Sequence, residues 1–352
     1  MKKTITLLVA LCVSLTLFAF SANESDYIFY VENDYEKDFD YLSSSLDNAK
    51  TNDEKAEILW RLSRTKLTIT DENKESMSKE ELLSSYGDYS SSDKPKSDDK
   101  SSAFYYAYSS LELKQTANAY HWLASAVGRC GQVHGALNSL SKASGMKKLE
   151  DKALENFGKF NLETDSWYVL SILYRSLPGS PISFGNSNYA ISYIRKCIMT
   201  QDNANRTNGT NYLECAEQLY KRDWSQSKRS KEFAKMLKSY EKAKEKGEGA
   251  TEINKYYEGY LSSMGNPFYV AASLSSISDR QEAISMLDYA SRLIEARLKN
   301  AKTEYSKNKM LEEKERIDST LKEWRWKGFF LFFKGEGRII LSPFLFIFYF
   351  IL

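Results

Sequence analysis

Residues 167–174 read Trp-Tyr-Val-Leu-Ser-Ile-Leu-Tyr and decide the fold class. Within this stretch Trp167, Leu170 and Tyr174 follow one another at steps of three and four residues, the spacing that places side chains on one face of an α-helix. Ser171 puts a small residue on the same face, as is needed where two helices cross closely. The stretch therefore predicts an α-helix that packs tightly against a neighbour.

A second copy of this pattern lies upstream, at residues 120–127, with the spacing Tyr-x2-Leu-Ala-x2-Val. Ala136 follows sixteen residues after its first position and Leu140 four residues later, where the second helix of a 34-residue tetratricopeptide repeat carries its A-x3-F pair. In the downstream copy Ala190 comes late, because residues 177–186 are inserted. The two copies predict an all-α superhelical solenoid of degenerate tetratricopeptide-type hairpins.

The central stretch resembles a group of bacterial exported tetratricopeptide-repeat proteins and, to a lesser degree, the eukaryotic regulators of microtubule dynamics. The resemblance is carried by Tyr120-His121-Trp122-Leu123-Ala124, Gly128-Arg129, Trp167-Tyr168-Val169-Leu170 and Leu177-Pro178-Gly179-Ser180-Pro181-Ile182-Ser183-Phe184-Gly185-Asn186. It extends over about residues 50–300 and is specific over 118–200. It implies a helical-repeat fold and a binding or scaffolding role, with no catalytic residues to transfer. Ser171 in place of glycine and an enlarged polar stretch at 85–102 depart from the pattern.

The N-terminus has the three parts of a secretory signal peptide. Lys2 and Lys3 supply the positive start, residues 5–20 the apolar run, and Ser21 and Ala22 the small residues at its end. We therefore predict a signal peptide over residues 1–22 and export to the periplasm or cell envelope. An uncleaved membrane anchor is the alternative, since about 17–20 apolar residues span a bilayer.

The rest of the chain divides by composition. We predict N-terminal helices over residues 23–84, a flexible linker over the Ser-, Asp- and Lys-rich residues 85–102, and a repeat domain over residues 103–326. Residues 327–352 form an apolar tail. The tail is interpreted either as a membrane-touching segment or as an extension foreign to the domain, such as a shifted reading frame.

Two helix boundaries follow from glycine and proline. Gly131 is predicted to break the chain into helices over 119–130 and 133–143, because glycine is a poor helix former. Pro267 is predicted to precede a helix over 268–277, because proline is tolerated at the first helical turn.

The chemistry of the sequence argues against an enzyme. Lys and Arg total 49 against 47 Asp and Glu, so no overall charge attracts nucleic acid. Nucleophile elbow, phosphate-binding loop and paired metal-ligand motifs are absent from the sequence. His121 and His134 can bind zinc or copper if they face each other across a hairpin, but packed histidines are the preferred interpretation. No metal and no cofactor are predicted.

The repeat register predicts where a partner binds. With Tyr120 and Trp167 at the fourth repeat position, the groove-facing positions fall on His121, Ser125, Arg129, Tyr168 and Arg175. Arginine and tyrosine at such positions suit a protein or peptide partner. The prediction is an exported scaffold or adaptor that mediates protein–protein interaction in the cell envelope. The alternative is a solute-binding accessory component of an envelope transporter.

Overall fold

The computed structural model of the protein describes residues 20–88, 94–96, 98–156, 163–203 and 208–335. Every regular element in these residues is helical, which confirms the predicted all-α class. The α-helices are α1 (Ala22–Tyr27), α2 (Tyr35–Asn48), α3 (Asn52–Asn73), α4 (Lys79–Tyr86), α5 (Ala103–Leu113), α6 (Ala117–His134), α7 (Ala136–Asn156), α8 (Glu163–Ser176), α9 (Ser187–Asn203), α10 (Gly209–Arg222), α11 (Gln226–Glu245), α12 (Ala250–Asn254), α13 (Tyr257–Ser263), α14 (Asp279–Leu298) and α15 (Glu304–Gly335). A π-helical turn (Ile28–Glu32) and two 3₁₀ turns (Lys74–Ser76 and Leu274–Ser276) complete the set.

Three predicted segments lie wholly or partly outside the described residues. The predicted leader is described only from residue 20 onward, and the apolar tail only as far as residue 335. Within the predicted linker, residues 89–93 and 97 are outside the description.

The helices pack side by side in close pairs, and α8 and α9 form an antiparallel hairpin. In the α8–α9 pair, Trp167 stacks on Tyr193 at 5.7 Å between ring centroids, and Tyr174 meets Tyr189 at 6.0 Å. The later residue of α8 thus contacts the earlier residue of α9, so the two helices run in opposite directions. Helices α3 with α5, α6 with α7, α10 with α14 and α14 with α15 also pair closely.

The side chains of the two repeated patterns line these hairpins. Trp167, Leu170 and Ser171 are fully buried, and Tyr174 is 6% exposed. In the upstream copy Ala124 is fully buried. The largest apolar cluster runs from the end of α7 through α15, while two smaller clusters lie under the N-terminal helices.

The predicted break at Gly131 is wrong, because α6 continues to His134 and ends at Gly135. A Cβ at Gly131 would lie 3.2 Å from the Cα of Ser139 in α7. Glycine is therefore placed there for close contact between helices, and this packing outweighs its poor helix propensity. Gly135 has a φ of 95°, a conformation that favours glycine and ends the helix.

The predicted helix over 268–277 is also wrong, since turns and the short 3₁₀ element at Leu274–Ser276 replace it. The backbone carbonyl of Leu274 accepts a hydrogen bond of 2.9 Å from Arg229 Nε. That carbonyl therefore accepts a hydrogen bond from a buried arginine instead of from a backbone N–H of an α-helix. The next helix, α14, begins under a capping box formed by Ser278 and Gln281.

Candidate functional site

The candidate site is the surface shared by the first helices of the hairpins, α3, α6, α8 and α10. Arg129 on α6 reaches Asp71 on α3, with 2.6 Å between Nη2 and Oδ2. Arg175 on α8 reaches Glu214 on α10, with 2.7 Å between Nη1 and Oε1. The arginine side chains remain 42% and 39% exposed. Each predicted arginine therefore lies at the junction of two first helices and is open to solvent on one side.

Tyr168 lies on α8, the helix that also carries Arg175. Burial is the largest cause of the raised pKa of its phenol, and the charge of Glu214 adds to it. Arg175 and Arg129 both act in the opposite direction on this pKa, so the two guanidinium groups are close enough for both charges to reach the phenol. Three of the five predicted site residues, Arg129, Tyr168 and Arg175, are thus within electrostatic reach of one another, and the phenol stays neutral and can donate a hydrogen bond.

The carboxylates of the site are held by further bonds. Tyr86 donates a hydrogen bond of 2.7 Å to Asp71 Oδ1, and burial with this contact raises the pKa of Tyr86. Gln218 Nε2 donates both to Ser171 Oγ at 3.0 Å and to Glu214 Oε1 at 2.8 Å. Ser171, the small residue of the repeat pattern, therefore links α8 to α10 and helps orient Glu214.

The two arginines differ in the donors they leave open. Arg129 uses Nε and Nη2 on Asp71 and Nη1 on Gln132. Arg175 uses Nη1 on Glu214, and its Nε and Nη2 make no hydrogen bond among the described residues. Because guanidinium can bind a second carboxylate through such a pair of donors, Arg175 is the better binding group of the two.

His121 is buried rather than open to the groove. Its ring is 3% exposed, and Nδ1 lies 3.1 Å from Oε1 of the fully buried Glu150. Burial, the largest single cause, would lower the pKa of His121, but the charge and the hydrogen bond of Glu150 together outweigh it and raise the pKa. Burial raises the pKa of Glu150, and His121 offsets this only in part. Both pKa shifts favour a bound proton on the His121–Glu150 pair. Because both side chains are buried, neither is available to contact a partner.

The hypothesis that His121 and His134 share a metal does not fit the structure. Both residues lie on the single helix α6, so their separation of 13 residues amounts to about 20 Å along the axis. His134 instead contacts Asp88, with 3.0 Å between Nε2 and Oδ1. Ser125, the remaining predicted site residue, lies on α6 and is partly exposed.

A buried charge cluster joins the second half of the chain, and sequence reasoning missed it. Its members are Arg195, Arg222, Arg229, Tyr269, Glu258, Asp279 and Glu282. Three arginines face three carboxylates, so the cluster is neutral as a unit. Arg229 Nη1 lies 2.7 Å from Asp279 Oδ1, and Arg195 Nε lies 2.9 Å from Glu258 Oε1. These bonds attach α11 and α13 to α9, α10 and α14, which positions the end of α10 that follows Glu214.

Comparison of the chain with protein-family models, with curated proteins and with solved structures gave no match. Among the residues that the structure describes, none of the helices combines the length and the apolar character that crossing a membrane requires.

Proposed function

We propose that the protein is an exported scaffold or adaptor, built as a tetratricopeptide-type solenoid, that binds a protein or peptide partner on the surface of α3, α6, α8 and α10. The solenoid part of the proposal is supported by the α6–α7 and α8–α9 pairs, whose helices follow each other in the chain, and by the ion pairs that join α3 to α6 and α8 to α10. Stacked hairpins of this kind present their first helices as a continuous binding surface. Export is supported by the leader-like pattern of residues 1–22.

The single observation that carries the binding role is that Arg129 and Arg175, each at the junction of two helices, keep 42% and 39% of their side chains exposed. Tyrosine and arginine are the residue types that most often dominate binding energy at interfaces. Because Arg175 keeps two donors open, a partner carboxylate can bind there, on an acidic side chain or at a chain terminus. Glu214 and Asp71 neutralise part of the positive charge, which disfavours partners that carry many adjacent acidic residues.

Photo-crosslinking tests this surface directly. We would replace Tyr168 with a photoreactive phenylalanine analogue and irradiate the protein in its native envelope fraction. The matched control carries the analogue at Tyr27, which is 47% exposed on α1. We expect a protein crosslinked from position 168 and not from position 27. Equal products from both positions, or none from position 168, would contradict the proposed surface.

A substitution series then tests the arginine. Arg175→Ala removes a half-exposed donor, and Arg325→Ala removes a comparable exposed arginine, 2.6 Å from Asp288, on α15. An interface residue that carries binding energy costs more than about 1.4 kcal/mol when truncated, which is a tenfold loss of affinity. We expect this loss for Arg175→Ala alone, at an unchanged melting temperature. Equal affinities of the two variants for the crosslinked partner, or a bound small molecule in native mass spectrometry in place of a protein, would favour the solute-binding alternative.

A further inference from the structure

Asp88, Cys130 and His134 converge at the end of α6. Cys130 and His134 are four residues apart on this helix, so they share a face. Asp88 follows Gly87, which ends α4 with a φ of 102°. One ligand atom from each of the three residues lies within 4.8 Å of the others.

The glycine before Asp88 is required for this approach. A Cβ at Gly87 would lie 2.5 Å from the Cβ of Phe104 and 2.8 Å from Ser102 Oγ. Its positive φ is likewise a conformation that other residues rarely adopt. The chain can therefore turn toward α6 at this point only with glycine, and the turn places the Asp88 carboxylate beside His134.

The three side chains differ in how far they are buried. Cys130 is 1% exposed, whereas the side chains of His134 and Asp88 are 24% and 31% exposed. The imidazole and the carboxylate are therefore partly open to solvent, and the thiol is not. Lys96 donates a hydrogen bond to the other oxygen of Asp88, so this carboxylate already has a cationic neighbour.

We propose that Asp88, Cys130 and His134 form a zinc site with water as the fourth ligand. Thiolate, imidazole and carboxylate are the three donor types that zinc binds in proteins, and thiolate disfavours magnesium and calcium. In a tetrahedral zinc site the ligand atoms are about 3.5 Å apart. Side-chain rotations that move the three ligand atoms by about 1 Å would therefore bring them to the distances that zinc requires. Binding converts the Cys130 thiol to a thiolate, and the proton passes to solvent.

The bound ion would connect the end of α4 with the end of α6. Two ligands come from one helix and the third from the first residue after Gly87, so the metal would fix the start of the predicted linker against the α6–α7 hairpin. Lys96 already supplies a positive charge to Asp88 and therefore competes with the metal. The three ligands are not residues of the proposed binding surface, although Cys130 directly follows Arg129 on α6, and neither proposal depends on the other.

Cobalt substitution provides the test, because Co²⁺ occupies zinc sites and reports a thiolate ligand by a charge-transfer band. We would titrate the purified protein with Co²⁺, then displace it with Zn²⁺ and determine the bound zinc by elemental analysis. We expect one equivalent of metal, a thiolate-to-cobalt band and the visible bands of a four-coordinate ion. Cys130→Ala should abolish the charge-transfer band. His134→Gln and Asp88→Asn should weaken zinc binding by at least about 100-fold, since even outer partners of metal ligands contribute 10- to 100-fold.

Matched controls come from residues of the same types elsewhere in the fold. Cys215→Ala and His121→Gln change a buried cysteine and a buried histidine and should leave the cobalt spectrum unchanged. Lys96→Met should raise metal affinity, because it removes the competing charge. Far-UV circular dichroism separates loss of binding from loss of folding, and the partly exposed His134→Gln variant keeps the test valid if Cys130→Ala unfolds. Absence of the thiolate band in the wild type, or its persistence in Cys130→Ala, would overturn the proposal.

Discussion

Glu282 is the residue at which the buried charge cluster can be tested most sharply. Its carboxylate accepts hydrogen bonds from Arg195 Nη2 at 2.7 Å, from Arg229 Nη2 at 2.6 Å and from the Tyr269 hydroxyl at 3.1 Å. Glu282→Gln keeps the shape of the side chain but removes its charge, and it leaves three arginines against two carboxylates. Removing one partner of a buried ion pair costs about 3–5 kcal/mol of folding stability.

The pH dependence of folding stability gives a second value for the contribution of Glu282. Burial alone would raise the pKa of Glu282, but Arg195 and Arg229 outweigh it and lower the pKa from 4.5 to about 2. Because the folded-state pKa is depressed, the stabilisation is complete above the unfolded value of 4.5 and is lost as the pH falls through about 2. The difference between the two pKa values corresponds to about 3 kcal/mol of folding stability at pH 7 and to about 1 kcal/mol at pH 3.

Urea denaturation followed by circular dichroism measures both values. We expect Glu282→Gln to lose about 3 kcal/mol at pH 7 relative to the wild type and less than half of that at pH 3. Glu295→Gln, an exposed glutamate on the same helix, is the control and should stay within about 0.5 kcal/mol at both pH values. The electrostatic account would be refuted if Glu282→Gln lost no more unfolding free energy than the control. It would also be refuted if the loss at pH 3 were as large as the loss at pH 7.

Three further predictions concern packing, capping and a buried histidine. Gly259→Ala should destabilise the fold by about 1–3 kcal/mol, because its Cβ would lie 2.2 Å from Leu237 N. Gly145→Ala, whose Cβ meets nothing within 4 Å, should stabilise α7 by about 0.5–1 kcal/mol. If urea denaturation showed that both variants change the unfolding free energy in the same direction, this contrast would be contradicted. Ser278→Ala removes the capping box of α14 and should cost about 1 kcal/mol by the same assay, whereas Ser285→Ala, inside that helix, should cost less. The pKa of His121, measured by NMR, should lie above 6.5 and fall in Glu150→Gln; a wild-type value below 6.5 would contradict the pairing.

The helices that could be predicted are those whose pattern of apolar residues lies within the helix's own sequence. In α14 the apolar residues Ala283, Leu287, Ala290 and Ile294 recur at helical spacing in the sequence, and all four are buried. Gly131 misled the prediction because its role depends on Ser139 of another helix, and no window around the glycine contains that contact. The segment after Pro267 misled it for the same reason, since Arg229 binds its backbone from 45 residues away.

The candidate site was predictable in part. The register placed Arg129, Tyr168 and Arg175 together because repeat positions that share a face do so on every first helix. Their carboxylate partners lie 58 and 39 residues away, and a sequence does not distinguish such a carboxylate from one in solvent. The same reason hid the buried cluster: Arg229 lies on a lysine-rich helix, and its carboxylate partners Asp279 and Glu282 are 50 and 53 residues away. His121 was misplaced because Glu150, which makes its burial tolerable, lies on the following helix.

The buried charge cluster also bears on how the protein responds to heat. The hydration of charged groups becomes less favourable as temperature rises, so the cost of keeping ions away from water decreases on warming. Ion pairs at the surface, such as that of Arg325 with Asp288, were never fully dehydrated and gain less from this effect. We therefore expect the region that joins α11 and α13 to α14 to be among the last to melt, and to outlast segments of the chain that are held only by ion pairs at the surface.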